Sequence, residues 1–337
     1  MSKIKWCVIG AGGIADRRTI PAILSDKNNQ LVAVMDKSSV VAKAIGEKYA
    51  VNYYDDEETM LKQCDCDCVY ISTPVFCHYA QAMLALKYDK NVFIEKPIGL
   101  NAKEAREILD AFKAKNKQFS VGYMMKYHNL NQKVKDMIEN GQLGQVATLR
   151  MQFTCWYPDI EGAWRQNKSL GGGGALMDLG VHCIELIEYV LNEKIIDVKG
   201  FMNTRTFKYE VEDQAIIVFK TESGILGHVD VNFNVPDKAS ESKFEVYGTK
   251  GYVICNGTLA QEEVGTLSYL YAPQDDYSAQ QNRAYDKPEI FYGEKGNLYL
   301  KQISEFVSLI ANSKTDLTHA ERAVHVQEIV DKLYIEQ

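Results

Sequence analysis

Proline supplies only 7 of 337 residues and no stretch is of low complexity, so neither a disordered nor a fibrous chain fits. Long apolar runs are missing too. Nothing approaches the ~20 consecutive apolar residues of a membrane-spanning helix, which points to a soluble protein with no membrane partner. Positive charge is not in excess: the formal net charge of −7 and pI near 5.5 argue against a surface built for nucleic acid. Cysteine is sparse, with 8 residues, and the cluster Cys64, Cys66 and Cys68 alternates with period two, unlike the spacing of structural zinc sites. We read the thiols as reduced, the location as cytoplasmic and a bound metal as absent. The opening MSKIKWCVIG runs from an apolar stretch into a glycine turn and carries no secretory cleavage pattern.

What is present is an ordinary globular composition, 46% hydrophobic and 25% charged, in a chain long enough for two cores. Apolar periodicity predicts strand 4–9, helix 13–26, strand 31–35, helix 39–49, strand 51–53, helix 56–63, strand 67–73, helix 77–88 and strand 91–95. A helix over 102–116 follows, its start marked by Asn101 and Glu104 at capping-box spacing, and then strand 118–122. Repeated βαβ units imply a parallel sheet with helices on both faces. Beyond residue 122 the rhythm changes. Segments 145–156, 195–204, 212–220, 224–234 and 241–248 read as adjacent strands, with helices at 177–192, 297–312 and 319–335 to cover one face of their sheet. The last helix is also placed to reach back to the first domain. The expected boundary divides residues 1–122 from 123–337.

Gly10-Ala11-Gly12-Gly13-Ile14-Ala15 matches G-x-G-x-x-G/A directly after the first strand and at the opening of the first helix, where such a turn holds a dinucleotide pyrophosphate. Gly10 permits the turn, Gly12 lets the backbone approach the phosphates, and the helix N-terminus supplies N–H groups. Asp36 ends the second strand, where a carboxylate accepts from ribose hydroxyls and favours NAD over NADP. Lys37, Ser38 and Ser39 keep NADP open, since they suit a 2′-phosphate. Lys96 leaves the edge at which doubly wound sheets bind ligands. Asp178 and His182 are four apart on an expected helix and project from one face, and an imidazole suits proton transfer near neutral pH. Read alone, the pair is better taken as a helix-start aspartate and a buried structural histidine, and the glycine-rich lead-in reverses that order.

Together with Glu95-Lys96-Pro97, Ile71-Ser72-Thr73-Pro74 before His78, Gly141-Gln142-Leu143-Gly144, and the run from Gly171 to His182, these motifs resemble the Gfo/Idh/MocA oxidoreductase family over essentially the whole chain. Trp164-Arg165 is similar to the 1,5-anhydrofructose reductase branch. The resemblance implies an α/β N-terminal Rossmann domain plus an α+β C-terminal domain with a large, mainly antiparallel open sheet. It implies a cofactor held by Gly10, Gly12, Gly13, Ile14, Asp36, Thr73, Pro74, His78, Glu95, Lys96 and Arg165. It also implies a carbohydrate or polyol substrate met by Lys96, Tyr123, Lys126, Trp164, Asp178 and His182. Lys96, His182 and Asp178 are the expected catalytic residues. Many relatives carry arginine where this chain has Lys126. The plain reading of Arg165 is a solvated loop residue, and that of His78 a helix-start residue. Pro97 is a candidate for a cis bond.

The expected activity is hydride transfer between NAD(P) and a secondary alcohol or ketone of a sugar, inositol or related polyol. Two other uses of the fold remain: a glycosidase that works through transient oxidation, and a non-catalytic nucleotide sensor, against which the retention of Lys96 and His182 speaks. A homodimer or homotetramer is expected, because runs such as 215–219 and 226–233 offer more strand surface than three helices cover.

Overall fold

The computed structural model describes residues 3–273, 276, 277, 279 and 286–336. In chain order it has β1 (Ile4–Ile9), α1 (Ile20–Ser25), β2 (Asn29–Met35), α2 (Ser39–Tyr49), β3 (Asn52–Tyr54), α3 (Glu57–Gln63), β4 (Cys68–Ile71), α4 (His78–Lys87), β5 (Asn91–Ile94), α5 (Ala102–Ala114) and β6 (Phe119–Val121). Then come α6 (Asn129–Glu139), β7 (Val146–Thr154), α7 (Lys168–Gly171), α8 (Val181–Leu191), β8 (Ile195–Asn203), β9 (Gln214–Thr221), β10 (Leu226–Asn232), β11 (Lys243–Gly248), β12 (Gly251–Asn256), β13 (Thr266–Tyr271), β14 (Glu289–Tyr292), α9 (Leu298–Ala311) and α10 (Thr318–Ile335).

Two compact units result. The first takes Met1–Tyr123, Asn167–Gly172 and Tyr299–Asp331, and the second takes the remainder. In the first unit the strands run in the order β3-β2-β1-β4-β5-β6, all parallel, with the sequence crossing over at β1 as in dinucleotide-binding sheets. A parallel sheet buried on both faces needs apolar residues at successive positions, and β4 obeys this with four buried residues in a row. Trp6, Val8, Tyr70 and Phe93 line one face.

Helix α9 was expected to cover the second sheet. Instead, Ile303, Phe306 and Val307 pack into the first unit's core. The Phe306 ring lies 5.4 Å from Trp6 and meets Phe93 edge-on at 5.5 Å. The parallel sheet must be covered on both faces, and β1 and β5 present aromatic rings that only a further apolar helix can bury. The expected helix 13–26 is also broken. Ala15–Thr19 form a π-helical turn, in which the Ile20 N–H reaches back five residues to Ala15 O, and α1 begins only then. Pro21 stands at the break, with no N–H to donate and a ring that crowds the preceding turn. The Asn101 cap forms as expected: its side chain accepts from Glu104 N at 3.0 Å, while Glu104 accepts from Leu100 N at 2.9 Å.

The second unit holds an eight-stranded sheet ordered β14-β13-β12-β11-β7-β10-β9-β8. Every neighbouring pair is antiparallel except β7 with β10. On β9 one face is buried at Ala215, Ile217 and Phe219, while Ile216 and Val218 stand more than half exposed on the other. Strands β12 to β14 and helix α6 were not anticipated. Leu130, Val134 and Met137 are the buried stripe of α6, and β12 is the return arm of a hairpin from β11 across Thr249-Lys250.

Candidate functional site

The sheet positions the first group of residues at the carboxyl ends of β1, β2, β4 and β5. Gly10 takes a positive φ of 83°, and a Cβ there would lie 2.8 Å from Thr73 Cγ2 and 2.9 Å from the Ser72 carbonyl carbon. The Ser72 hydroxyl donates to Gly10 O at 2.8 Å, tying the turn to the end of β4. Gly13 has φ of 55° with nothing within 4 Å of its would-be Cβ, so this backbone is left open. Asp36 stands beside the turn: Oδ2 accepts from Gly12 N at 3.3 Å and Oδ1 from Ser38 N at 3.0 Å. Ser38 itself caps α2, accepting from Val41 N at 3.4 Å, which engages it in the helix start. Ile14 opens the π-helical turn. An open glycine cradle with a carboxylate next to its central N–H fits a dinucleotide.

Thr73, Pro74 and His78 surround the end of β4. The Thr73 hydroxyl donates to Gln81 Oε1 at 2.6 Å. His78 is buried, its ring nitrogens lying 2.8 Å from Pro97 O and 3.0 Å from Thr73 O, so it braces two loops from within. The Lys96–Pro97 bond is cis. Glu95 accepts from the buried Tyr70 hydroxyl at 2.6 Å. Burial pushes the Tyr70 phenol far up, and the neighbouring Glu95 adds to it. Tyr123 is also buried in this unit.

The remaining candidates belong to the second unit. Asp178 lies in a second π-helical turn, Leu176–Gly180, whose last bond runs from Val181 N back to Leu176 O, and α8 starts there. The expected single helix over 177–192 is thus split as the first one was. Arg165 Nε lies 3.5 Å from Asp178 Oδ1, and the guanidinium rests 4.1 Å from the Trp164 ring centroid. The half-buried Tyr157 phenol is pushed up mainly by burial, with Arg165 pulling it down and Asp178 pushing it up. His182 is 5% exposed, with the Phe153 ring edge-on at 6.4 Å. Lys126 is buried and lies 3.6 Å from the equally buried Glu185, one turn along α8 from His182.

The glycine run before Asp178 is required sterically. A Cβ on Gly173 would fall 1.9 Å from Tyr334 Oη, and one on Gly174 1.9 Å from Glu212 O. Glu212 Oε1 accepts from Gly174 N at 3.0 Å, Leu176 N at 2.9 Å and Tyr334 Oη at 2.7 Å, holding the turn that carries Asp178. Tyr70, Glu212 and Tyr334 were not singled out from sequence as members of this framework. A lone tyrosine hydroxyl in an apolar strand was the available signal for Tyr70. Among the described residues no group of three or more His, Cys, Asp or Glu side chains is placed to hold a metal, and no helix is long and apolar enough to cross a membrane.

Residues 4–123 match the model described as an oxidoreductase family with an NAD-binding Rossmann fold, and residues 131–254 match the GFO/IDH/MocA C-terminal domain. The chain belongs to the Gfo/Idh/MocA family of NAD(P)-dependent oxidoreductases. Among curated relatives, 1,5-anhydro-D-fructose reductase of Ensifer adhaerens is 26% identical over 78% of this chain and 79% of its own. D-glucoside 3-dehydrogenase of Escherichia coli K12 is 25% identical over 99% and 95%. The crystal structure of the aldose-aldose oxidoreductase from Caulobacter crescentus has a TM-score of 0.86 at 20% identity, covering 99% of this chain and 97% of that one, and it supports the fold.

Proposed function

We propose that the protein transfers a hydride between NAD(H) and a secondary alcohol or ketone of a sugar, inositol or related polyol. The observation that carries this reading is the second unit's Asp178–Arg165 pair on the turn leading into the buried His182, in a chain whose relatives are named as sugar reductases and dehydrogenases. Bound by the glycine turn and Asp36, NAD(H) supplies the hydride acceptor or donor. In the oxidising direction His182 takes the hydroxyl proton as the carbinol carbon loses hydride, and in the reducing direction it returns that proton. The role of Lys96 is to stabilise negative charge that develops on a substrate oxygen. Asp178 accepts from neighbouring substrate hydroxyls, Trp164, Tyr123 and Lys126 serve the substrate, and Arg165 clamps the cofactor pyrophosphate or a substrate. Asp36 favours NAD(H) because a carboxylate repels a 2′-phosphate.

The test is an NAD(P)H absorbance screen against aldoses, ketoses, inositols and sugar phosphates in both directions, followed by kinetics on variants. His182→Ala should lower kcat by ~10²–10⁴, the range for a lost general acid–base, with NADH affinity unchanged. Retention of more than about a third of wild-type kcat would make His182 a structural residue. We assign the exposed face of β8 to β10 to a second copy of the chain, and light scattering at micromolar concentration reports whether the protein is an oligomer.

A further inference from the structure

Lysine has the most flexible long side chain, so a lysine that must meet one substrate oxygen gains precision only from the backbone it hangs on. The first unit restrains that backbone on both sides of Lys96. On the N-terminal side the Glu95 carboxylate accepts from Tyr70 Oη at 2.6 Å, and Tyr70 Oη in turn accepts from Thr19 Oγ1 at 2.9 Å. Tyr70 spends its one proton on Glu95, and its lone pair is left for the Thr19 hydroxyl. The chain of bonds therefore has one direction, and each bond strengthens the next. Thr19 and Tyr70 are fully buried, and a Cβ on Gly122 would come 3.1 Å from Glu95 Oε2, so the carboxylate packs against the Gly122 backbone on one side. On the C-terminal side the buried His78 ring contacts Pro97 O at 2.8 Å and Thr73 O at 3.0 Å.

We propose that Tyr70 and His78 are positioning residues that clamp the chain on either side of Lys96, with Thr19 linking the clamp to the helix that follows the glycine turn. The proposal rests on the role given to Lys96 above. His78 acts on this view through the Pro97 carbonyl and not by touching the cofactor.

A double-mutant cycle tests it. Tyr70→Phe removes one hydroxyl and keeps the ring, so it should lower kcat about 5- to 50-fold through misplacement of Lys96, with KM for NADH changed by no more than about twofold. In a Lys96→Ala background the same substitution should alter kcat by less than about twofold, because it then has no lysine to misplace. An equal loss in both backgrounds overturns the proposal. Should Tyr70→Phe fail to fold, Thr19→Val, which loses only the donor to Tyr70 Oη, takes its place in the cycle with a smaller loss expected. A second readout needs no substrate: hydrogen exchange of the peptide spanning 91–100 should quicken in Tyr70→Phe and His78→Asn, and unchanged exchange in both overturns the clamp. If exchange quickens while the wild-type protein turns over no carbohydrate, the clamp stands and the substrate reading falls.

Discussion

The two glycine-rich turns look alike in sequence and do opposite things. Each leads into a π-helical turn, Ala15–Thr19 in the first unit and Leu176–Gly180 in the second. At Gly13 the backbone adopts a left-handed φ of 55° and leaves open space, whereas Gly173 and Gly174 are filled from outside by Tyr334 and Glu212. The first turn leaves its backbone open, and the second is a packing joint already closed by protein. A glycine conserves room in both, but the room is used by different things.

Substituting one glycine in each turn separates these roles, and the packing joint should suffer most. Gly174→Ala drives a methyl group into the Glu212 carbonyl, a backbone atom that cannot swing away. Overpacking of this kind costs about 3 kcal/mol or more and should lower the melting temperature by roughly 6–12 °C. Calorimetry that finds Gly174→Ala as stable as wild type would place the restraint elsewhere. Gly12→Ala should behave in the opposite way. Its Cβ would meet Val41 Cγ1 at 3.3 Å and Asp36 Oδ2 at 3.5 Å, which small adjustments absorb, so the fold should persist. NADH affinity, read by fluorescence titration, should nonetheless fall about tenfold or more if the turn holds the pyrophosphate as proposed, since the methyl group narrows it.

The first turn was legible because its chemistry is local: a glycine pattern, the strand before it and Asp36 at the next strand's end lie within 27 residues, Gly10 to Asp36. The second was only half legible. Asp178 and His182 are visible from spacing, but Glu212 lies 34 residues from Asp178 and Tyr334 a further 122, in segments whose patterns say strand and helix and nothing about a carboxylate reaching a turn. Helix α9 illustrates the same limit. Its apolar stripe announces that it must be buried, and the sequence carries no statement of which sheet will bury it. The two π-helical turns were missed because their i to i+5 bonds leave no signature in an apolar periodicity read at 3.6 residues per turn.

Cofactor choice gives a gentler test of the cradle. Asp36→Ser removes the carboxylate that accepts from Gly12 N and Ser38 N and whose charge would repel a 2′-phosphate. The ratio of NADH to NADPH affinity should fall about tenfold, mostly through weaker NADH binding, since one charge-assisted hydrogen bond of this kind is worth about that much. A wild-type protein that binds NADPH tenfold more tightly than NADH would remove Asp36 from its role, with Lys37 left as the nearby cation.

The smallest effect belongs to the carboxylate that closes the second turn. Burial holds the Glu212 carboxyl above its ordinary range, and the bonds from Tyr334 and the backbone pull it back only in part. A folded-state value raised in this way means that the native protein holds the proton more tightly than the unfolded chain. The stability this contributes is present below the unfolded value of about 4.3 and is lost as pH rises through the folded one. Above the folded value the wild-type protein therefore carries a carboxylate that burial penalises. All three donors, Gly174 N, Leu176 N and Tyr334 Oη, reach the same atom, Oε1. Glutamine keeps an acceptor at that position and carries no charge, so Glu212→Gln should preserve the turn and relieve the penalty. Its melting temperature at the higher pH should equal or exceed the wild-type value, and the gap should narrow as pH falls through the folded value. A variant that melts well below wild type at the higher pH would show that the turn needs the charge itself, and that the dipoles of the two N–H groups at the start of the π-helical turn hold an anion there.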